Sequence, residues 1–328
     1  MRNFHRIGIV GCGNIAFAHA RALKEVSGFQ LVGLCDEKLD AARTLAQETP
    51  VDFVSDDLEM WLEAAQIEAA IVCTPPATHR EIVCKCLARG VHVLCEKPLA
   101  ISVEDAQNMR SEAEKANLVL LPAFKFRFCD AIQRARVEIE SGNLGEIEGF
   151  EIAFCAPVEM RNRWNARPVL SGGGVLMDNG PHAFDLACFL FGEIEAVEAR
   201  LGFAQKLEVE DACEMSLEMR SGLSGKVELS WTRAHDDEWF LTIRGAKAIL
   251  QIGWTQSRLF NVETNAWQIF GGGYAKMPAF VAQLRYFASR ISGETNAPKI
   301  VTIDDGIASV VAVQNAYRSA REGQCVAI

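Results

Sequence analysis

Apolar positions in the first third of the chain fall in short unbroken runs. Arg6-Ile7-Gly8-Ile9-Val10, Gln30-Leu31-Val32-Gly33-Leu34-Cys35, Ala69-Ala70-Ile71-Val72-Cys73 and Val91-His92-Val93-Leu94-Cys95 have strand length and little polar alternation. Continuous apolar strands suit a parallel sheet covered on both faces. Between them the spacing becomes helical over residues 15–26, 38–49, 58–65 and 79–89, with a short extended stretch at 51–54. A helix over 103–116 and a strand over 118–122 close this alternation.

From Phe124 the pattern changes. Lys125-Phe126-Arg127-Phe128 alternates charge with aromatic, and a helix is expected over 131–141. Runs over 148–156, 196–203, 213–219, 226–231, 239–243 and 248–252 alternate apolar and polar residues. That is the pattern of a mostly antiparallel sheet with one face solvated or paired. Two closing helices, over 278–292 and 304–321, complete an α+β unit.

At 328 residues the chain has room for two domains, each with a core. A net charge of −10 argues against a nucleic-acid or anionic-membrane binder. No apolar run approaches the roughly 20 residues of a spanning helix. The N-terminus, Met1-Arg2-Asn3-Phe4-His5-Arg6, has no secretory h-region, so a cytoplasmic location is expected. The 11 cysteines include no Cys-x-x-Cys pair, and Cys84-x-Cys86 has no histidine at zinc-site spacing. Reduced structural thiols and no metal site are expected.

The first strand leads into Gly11-Cys12-Gly13-Asn14-Ile15-Ala16, a G-x-G-x-x-A pattern that opens a helix. Gly11 permits the tight turn, Gly13 the close approach of a pyrophosphate, and Ala16 the packing of helix on strand. The N–H groups of the turn, including those of Asn14 and Ile15, face the phosphates. The second strand ends at Asp36, placed to accept from the ribose hydroxyls and to repel a 2′-phosphate. NAD is the expected cofactor; Lys38, close by, keeps NADP open. Asp36 is also placed to cap the following helix.

These patterns set the expected fold class. It is α/β, with a Rossmann dinucleotide-binding domain over 1–122 and a C-terminal α+β domain with a mostly antiparallel open sheet over 123–328.

Three stretches carry the candidate chemistry. Thr74-Pro75-Pro76-Ala77-Thr78-His79 forms a proline-stiffened loop suited to lining the cofactor, with His79 a helix cap or surface residue. Glu96-Lys97-Pro98 ends the fourth buried strand on a charged pair at the carboxyl edge of the sheet, where such folds bind ligands. Gly172-Gly173-Gly174 offers a backbone that a ligand can approach, followed by Asp178, His182 and Asp185 at i, i+4 and i+7 on one helical face. Pro181 lies inside that stretch, so the helix is expected to kink there or restart with Pro181 as its first residue.

Together these motifs resemble the glucose–fructose oxidoreductase / inositol dehydrogenase / MocA (Gfo/Idh/MocA) family along the whole chain. The resemblance implies a cis Lys97-Pro98 bond, association through the C-terminal sheet as a homodimer or homotetramer, and a lysine and histidine that both bond the reacting hydroxyl. The expected reaction moves hydride between nicotinamide and a secondary alcohol or ketone of a sugar, cyclitol or sugar derivative. His182 is the candidate base, Lys97 the polarising and proton-sharing donor, and Asp178 the orienting group. Thr74, Pro75, His79, Glu96 and Lys97 join Gly11, Gly13, Asn14, Ile15 and Asp36 as cofactor residues.

Lys125, Arg127, Arg163, Trp164, Asp178 and His182 are the substrate candidates. The loop Arg161-Asn162-Arg163-Trp164-Asn165-Ala166-Arg167 reads equally as an anion site or a solvated surface. Trp164 reads as a stacking residue or a loop anchor. A non-catalytic NAD-binding sensor and a redox-neutral glycosidase using tightly held NAD remain alternatives. Retention of Lys97, Asp178 and His182 together argues against the sensor.

Overall fold

The computed structural model describes residues 4–234, 238–294 and 299–328. Met1, Arg2 and Asn3 of the N-terminal stretch lie outside the described residues. Two compact units make up the protein, Met1–Lys125 with Met277–Ile307, and Phe126–Lys276 with Ala308–Ile328.

The first unit alternates strands and helices: β1 (His5–Val10), α1 (Asn14–Leu23), β2 (Phe29–Cys35), α2 (Leu39–Glu48), β3 (Phe53–Ser55), α3 (Leu58–Ala64), β4 (Ala69–Val72), α4 (His79–Ala88), β5 (His92–Cys95), α5 (Val103–Ala116) and β6 (Leu120–Pro122). The six strands run parallel in the order β3-β2-β1-β4-β5-β6. The order reverses between β1 and β4, and the crevice at such a switch point is where open α/β sheets bind ligands. Ile7, Ile9, Val32, Leu34, Ile71, Val72 and Val93 are fully buried, as the unbroken apolar runs require. Helix ends follow local chemistry. Ser102 accepts the Asp105 N–H at the start of α5, and Asn117 ends it in the left-handed region at φ 52°.

The second unit contains α6 (Asp130–Glu140), β7 (Ile147–Cys155), α7 (Pro168–Ser171), α8 (Val175–Phe191), β8 (Ile194–Gly202), β9 (Ala212–Met219), β10 (Ser224–Ser230), β11 (Trp239–Gly245), β12 (Ala248–Gly253), β13 (Gln256–Asn261) and β14 (Ala266–Gly272). The last elements in sequence are α9 (Lys276–Ile291), α10 (Ile303–Glu322) and β15 (Val326–Ala327). Nine strands form one sheet, β14-β13-β12-β11-β7-β10-β9-β8-β15, antiparallel except for the β7–β10 pair. Ile152, Leu217, Val227, Leu241 and Leu250 belong to the buried core of this unit, and α8 packs on β7, β9 and β10.

Three features differ from the sequence expectation. Strands β13, β14 and β15 lie beyond the alternating runs. β14 buries Phe270 but leaves Trp267 and Ile269 exposed, so its apolar residues do not alternate as a strand with one buried face would, and β15 is only two residues long. Residues 277–307, placed in the second domain by sequence order, pack in the first unit, where Phe287 meets Phe29 at 5.6 Å between centroids. Finally, α8 does not restart at Pro181 but is one helix through it. The preceding residue is Gly180, which has no Cβ to clash with the proline Cδ.

Candidate functional site

The nucleotide end of the first unit is built on the β1–α1 turn. Gly11 has φ +85°, and a Cβ there would stand 2.7 Å from the Cys73 carbonyl carbon and the Thr74 nitrogen. The turn therefore presses against the end of β4 as only glycine permits. Gly13 precedes α1 with open space where its Cβ would lie and makes no side-chain cap. No acidic residue occupies the first turn of α1, so its leading N–H groups suit an anion such as a pyrophosphate. Asp36 accepts the Cys12 N–H on one oxygen at 2.7 Å and the Lys38 N–H on the other at 2.8 Å. It therefore does not cap α2, whose N-cap is Lys38 without a side-chain bond. Instead it ties the end of β2 to the glycine turn. These features fit a dinucleotide: a phosphate cradle at the glycine turn and an acid one strand away.

Glu96 is buried and accepts from Nε2 of the fully buried His19 at 2.8 Å. An ionised carboxylate can only accept, so Nε2 of His19 carries the proton of this bond. Burial alone would push the Glu96 carboxyl up. Hydrogen bonding and electrostatic attraction from His19, with the Lys97 and Lys125 ammoniums, outweigh it and hold the carboxyl below its ordinary value. A carboxylate thus stays ionised under Lys97, and the Lys97-Pro98 bond is cis.

His79 is fully buried, which corrects its reading as a cap or surface residue. Nδ1 lies 3.0 Å from the Pro98 carbonyl and 3.3 Å from that of Leu99, and Nε2 lies 2.9 Å from the Thr74 carbonyl. The ring therefore joins the Thr74-Pro75 loop to the turn that follows Lys97. Burial lowers its pKa, against the carbonyls and Glu96, which favour the charged form. Thr78 closes the same loop through bonds to Thr74 Oγ1 and the Pro75 carbonyl, both 2.8 Å.

In the second unit, Asp178 and His182 lie on α8. His182 is 6% exposed and stands edge-on to Phe126 at 5.0 Å and to Phe154 at 6.3 Å. Two of the three glycines before α8, Gly173 and Gly174, are filled by protein rather than left open to a ligand, while Gly172 is exposed. A Cβ on Gly173 would stand 2.0 Å from the Tyr317 hydroxyl, and one on Gly174 1.9 Å from the Glu210 carbonyl oxygen. Glu210 accepts the N–H groups of Gly174 and Leu176 at 2.9 and 3.0 Å and the Tyr317 hydroxyl at 2.7 Å. This buried carboxylate binds the positive end of α8 from 36 residues away in sequence. Nothing in the sequence near Glu210 or Tyr317 marks the contact.

Arg127, an expected substrate residue, is instead buried and paired with Asp185 at 2.8–2.9 Å, its guanidinium over Phe189 at 4.9 Å. Lys125 is half-buried, in the 3₁₀ turn Lys125–Phe128. Arg161, Arg163 and Arg167 are exposed, and Trp164 is 38% exposed.

Comparison with known proteins decides the family. Residues 5–124 match the GFO_IDH_MocA "Oxidoreductase family, NAD-binding Rossmann fold", and residues 132–251 match the GFO/IDH/MocA C-terminal domain. The chain belongs to the Gfo/Idh/MocA family. Among its relatives is the myo-inositol 2-dehydrogenase of Thermotoga maritima, 28% identical over 74% of this chain and 73% of that one. Another is the scyllo-inositol 2-dehydrogenase (NAD(+)) of Bacillus subtilis, 26% identical over 96% and 94%. Levoglucosan dehydrogenase, solved with NADH and levoglucosan, superposes with a TM-score of 0.89 over 99% of both chains at 19% identity, a likeness of fold. Of the Gfo/Idh/MocA motifs, the glycine turn, Asp36 and the Glu96-Lys97-Pro98 turn all lie in the first unit, and Asp178 and His182 in the second. Among the described residues no group of three or more His, Cys, Asp or Glu side chains is placed to hold a metal ion.

Proposed function

We propose that this Gfo/Idh/MocA oxidoreductase is an NAD-dependent dehydrogenase acting on a secondary hydroxyl or ketone of a sugar, cyclitol or sugar derivative. The observation that carries the reading is the buried His19–Glu96 pair, which keeps a carboxylate beneath Lys97 at the carboxyl edge of a dinucleotide-type sheet. Bound NAD would supply the hydride acceptor. Gly11, Gly13, Asn14 and Ile15 would hold its phosphates and Asp36 its ribose. Thr74, Pro75 and His79 would frame the cofactor at the loop after β4.

The protein's own side chains handle the proton. In this reading His182 is the base for the substrate hydroxyl proton, Lys97 a polarising and proton-sharing donor, and Asp178 an orienting group. Lys125, Arg163 and Trp164 are further substrate contacts in this reading. The inositol dehydrogenases among the relatives support the substrate class. The 11 free thiols suit a reducing cytoplasm.

The test is absorbance at the nicotinamide band with NAD and with NADP against sugars, inositols, sugar acids and nucleotide sugars. Reduction of NAD by wild type, lowered about 10²-fold or more in Lys97→Ala, is expected. No reduction across the panel by a protein that still binds NAD would overturn the reading.

A further inference from the structure

Exposed aromatic rings are few, and two of them contrast. Trp267 is 45% exposed on the face of β14, with Arg258 4.0 Å over its ring and Phe260 beside it at 5.3 Å. Trp254 is 46% exposed but joins a different cluster. Its indole lies 4.8 Å from Phe240, 5.9 Å and nearly perpendicular to Tyr274, 6.2 Å from Phe154 and 6.4 Å from Phe126. Phe126 and Phe154 are the two rings on which His182 stands. The candidate base and a half-open indole therefore share one aromatic floor, wholly within the second unit.

The turn that carries Trp254 is fixed. It joins β12 to β13, and the Gly253 carbonyl accepts the Tyr274 N–H at 3.0 Å. A Cβ on Gly273 would lie 2.5 Å from Gly253 O, Trp254 C and Thr255 N, so only glycine lets the turn close this tightly. A large ring held on such a support with nearly half its surface open is a preformed apolar face. The complementary ligand surface is itself flat and apolar with polar edges. Pyranoses and cyclitols have that form, with ring C–H groups on the faces and hydroxyls around the rim; an acyclic polyol of the same composition presents no such face.

We propose that Trp254 is the stacking platform for the C–H face of a ring-form polyol substrate, and that it makes the site select cyclic polyols over acyclic ones. This deepens the dehydrogenase reading and rests on it for the identity of the ligand as substrate. Binding is measured separately from turnover, so the two can fail independently.

The experiment is calorimetric titration of the NADH-loaded protein, whose reduced cofactor cannot accept a hydride from an alcohol, with D-glucose, myo-inositol and the acyclic polyol D-glucitol. It uses wild type, Trp254→Leu and Trp254→Phe, with light scattering to follow oligomeric state. A ring polyol is expected to bind wild type at least tenfold tighter than glucitol. Trp254→Leu should lose about tenfold in affinity, some 1.4 kcal/mol; Trp254→Phe should keep most of it, and NAD affinity should not move. Ring binding that Trp254→Leu leaves unchanged, no ring binding by wild type, or equal losses in both variants would overturn the proposal. So would a change of oligomeric state with affinity retained, which would make Trp254 an interface residue. Trp254-dependent ring binding without NAD reduction would keep the platform and remove the dehydrogenase.

Discussion

Asp36 carries two duties on one carboxylate: each oxygen already accepts a backbone N–H, and each has a lone pair left for a further donor. Its charge is what would exclude a 2′-phosphate, by a repulsion of about 1–4 kcal/mol at contact distance near the surface. Asp36→Ser keeps an acceptor for Cys12 and removes the charge. The ratio of kcat/KM for NADP to that for NAD is expected to rise at least tenfold, read from steady-state kinetics with both cofactors. Arg127 makes the opposite case, a cation in an aromatic-rich stretch that looks available for substrate and proves to be half of a buried ion pair. Arg127→Met removes the guanidinium that pairs with the buried Asp185, which should cost about 3–5 kcal/mol in urea denaturation. The double variant Arg127→Met/Asp185→Leu should recover much of that loss. From sequence, Arg127 and Asp185 are equally plausible as ligand contacts, because the pairing spans 58 residues.

At the scale of the element, α8 depends on groups outside itself. Its first turn is bound by Glu210, which Tyr317 holds in turn, and Gly173 and Gly174 make room for the Tyr317 hydroxyl and the Glu210 backbone. Gly174→Ala should destabilise by about 1–3 kcal/mol through overpacking against the Glu210 backbone. Burial pushes the Glu210 carboxyl above its ordinary value, against the hydroxyl and amide donors that favour the ionised form. A carboxyl raised on folding stabilises the folded state fully below its unfolded pKa and loses that contribution as pH rises through the folded value. Lowering the pH from about 8 to about 5 should therefore raise the Tm of wild type relative to Glu210→Gln, measured by calorimetry. A flat difference between the two proteins across that range would contradict this assignment.

At the scale of the whole molecule, the nine-stranded sheet has a buried face under α8 and an outer face on which Glu151, Glu214 and Lys226 give way to Trp267 and Ile269 near the β14 edge. We propose that this outer face joins copies of the protein into a homodimer or homotetramer. Ile269 is 83% exposed, so Ile269→Lys should leave the monomer fold intact and shift the mass measured by light scattering towards the monomer. Among the described residues no helix is long and apolar enough to cross a membrane.

Local sequence determined most of the elements of this protein. The parallel strands show because residues buried on both faces must be apolar without interruption. The turn at Gly11 and the end of β2 at Asp36 show because a tight backbone and an acid at fixed spacing have few other uses. The helical spacing of Asp178 and His182 shows because one helix carries them both. Tertiary structure decided whatever depends on residues far apart in sequence. It buried His79 between two loops, set His19 beneath Glu96, paired Arg127 with Asp185, brought Glu210 to α8, and put Trp254 on the same phenylalanines as His182. The physical reason is common to all five. A polar or aromatic side chain has the same local pattern whether it meets solvent, ligand or protein, and only the packed fold supplies the partner that tells them apart.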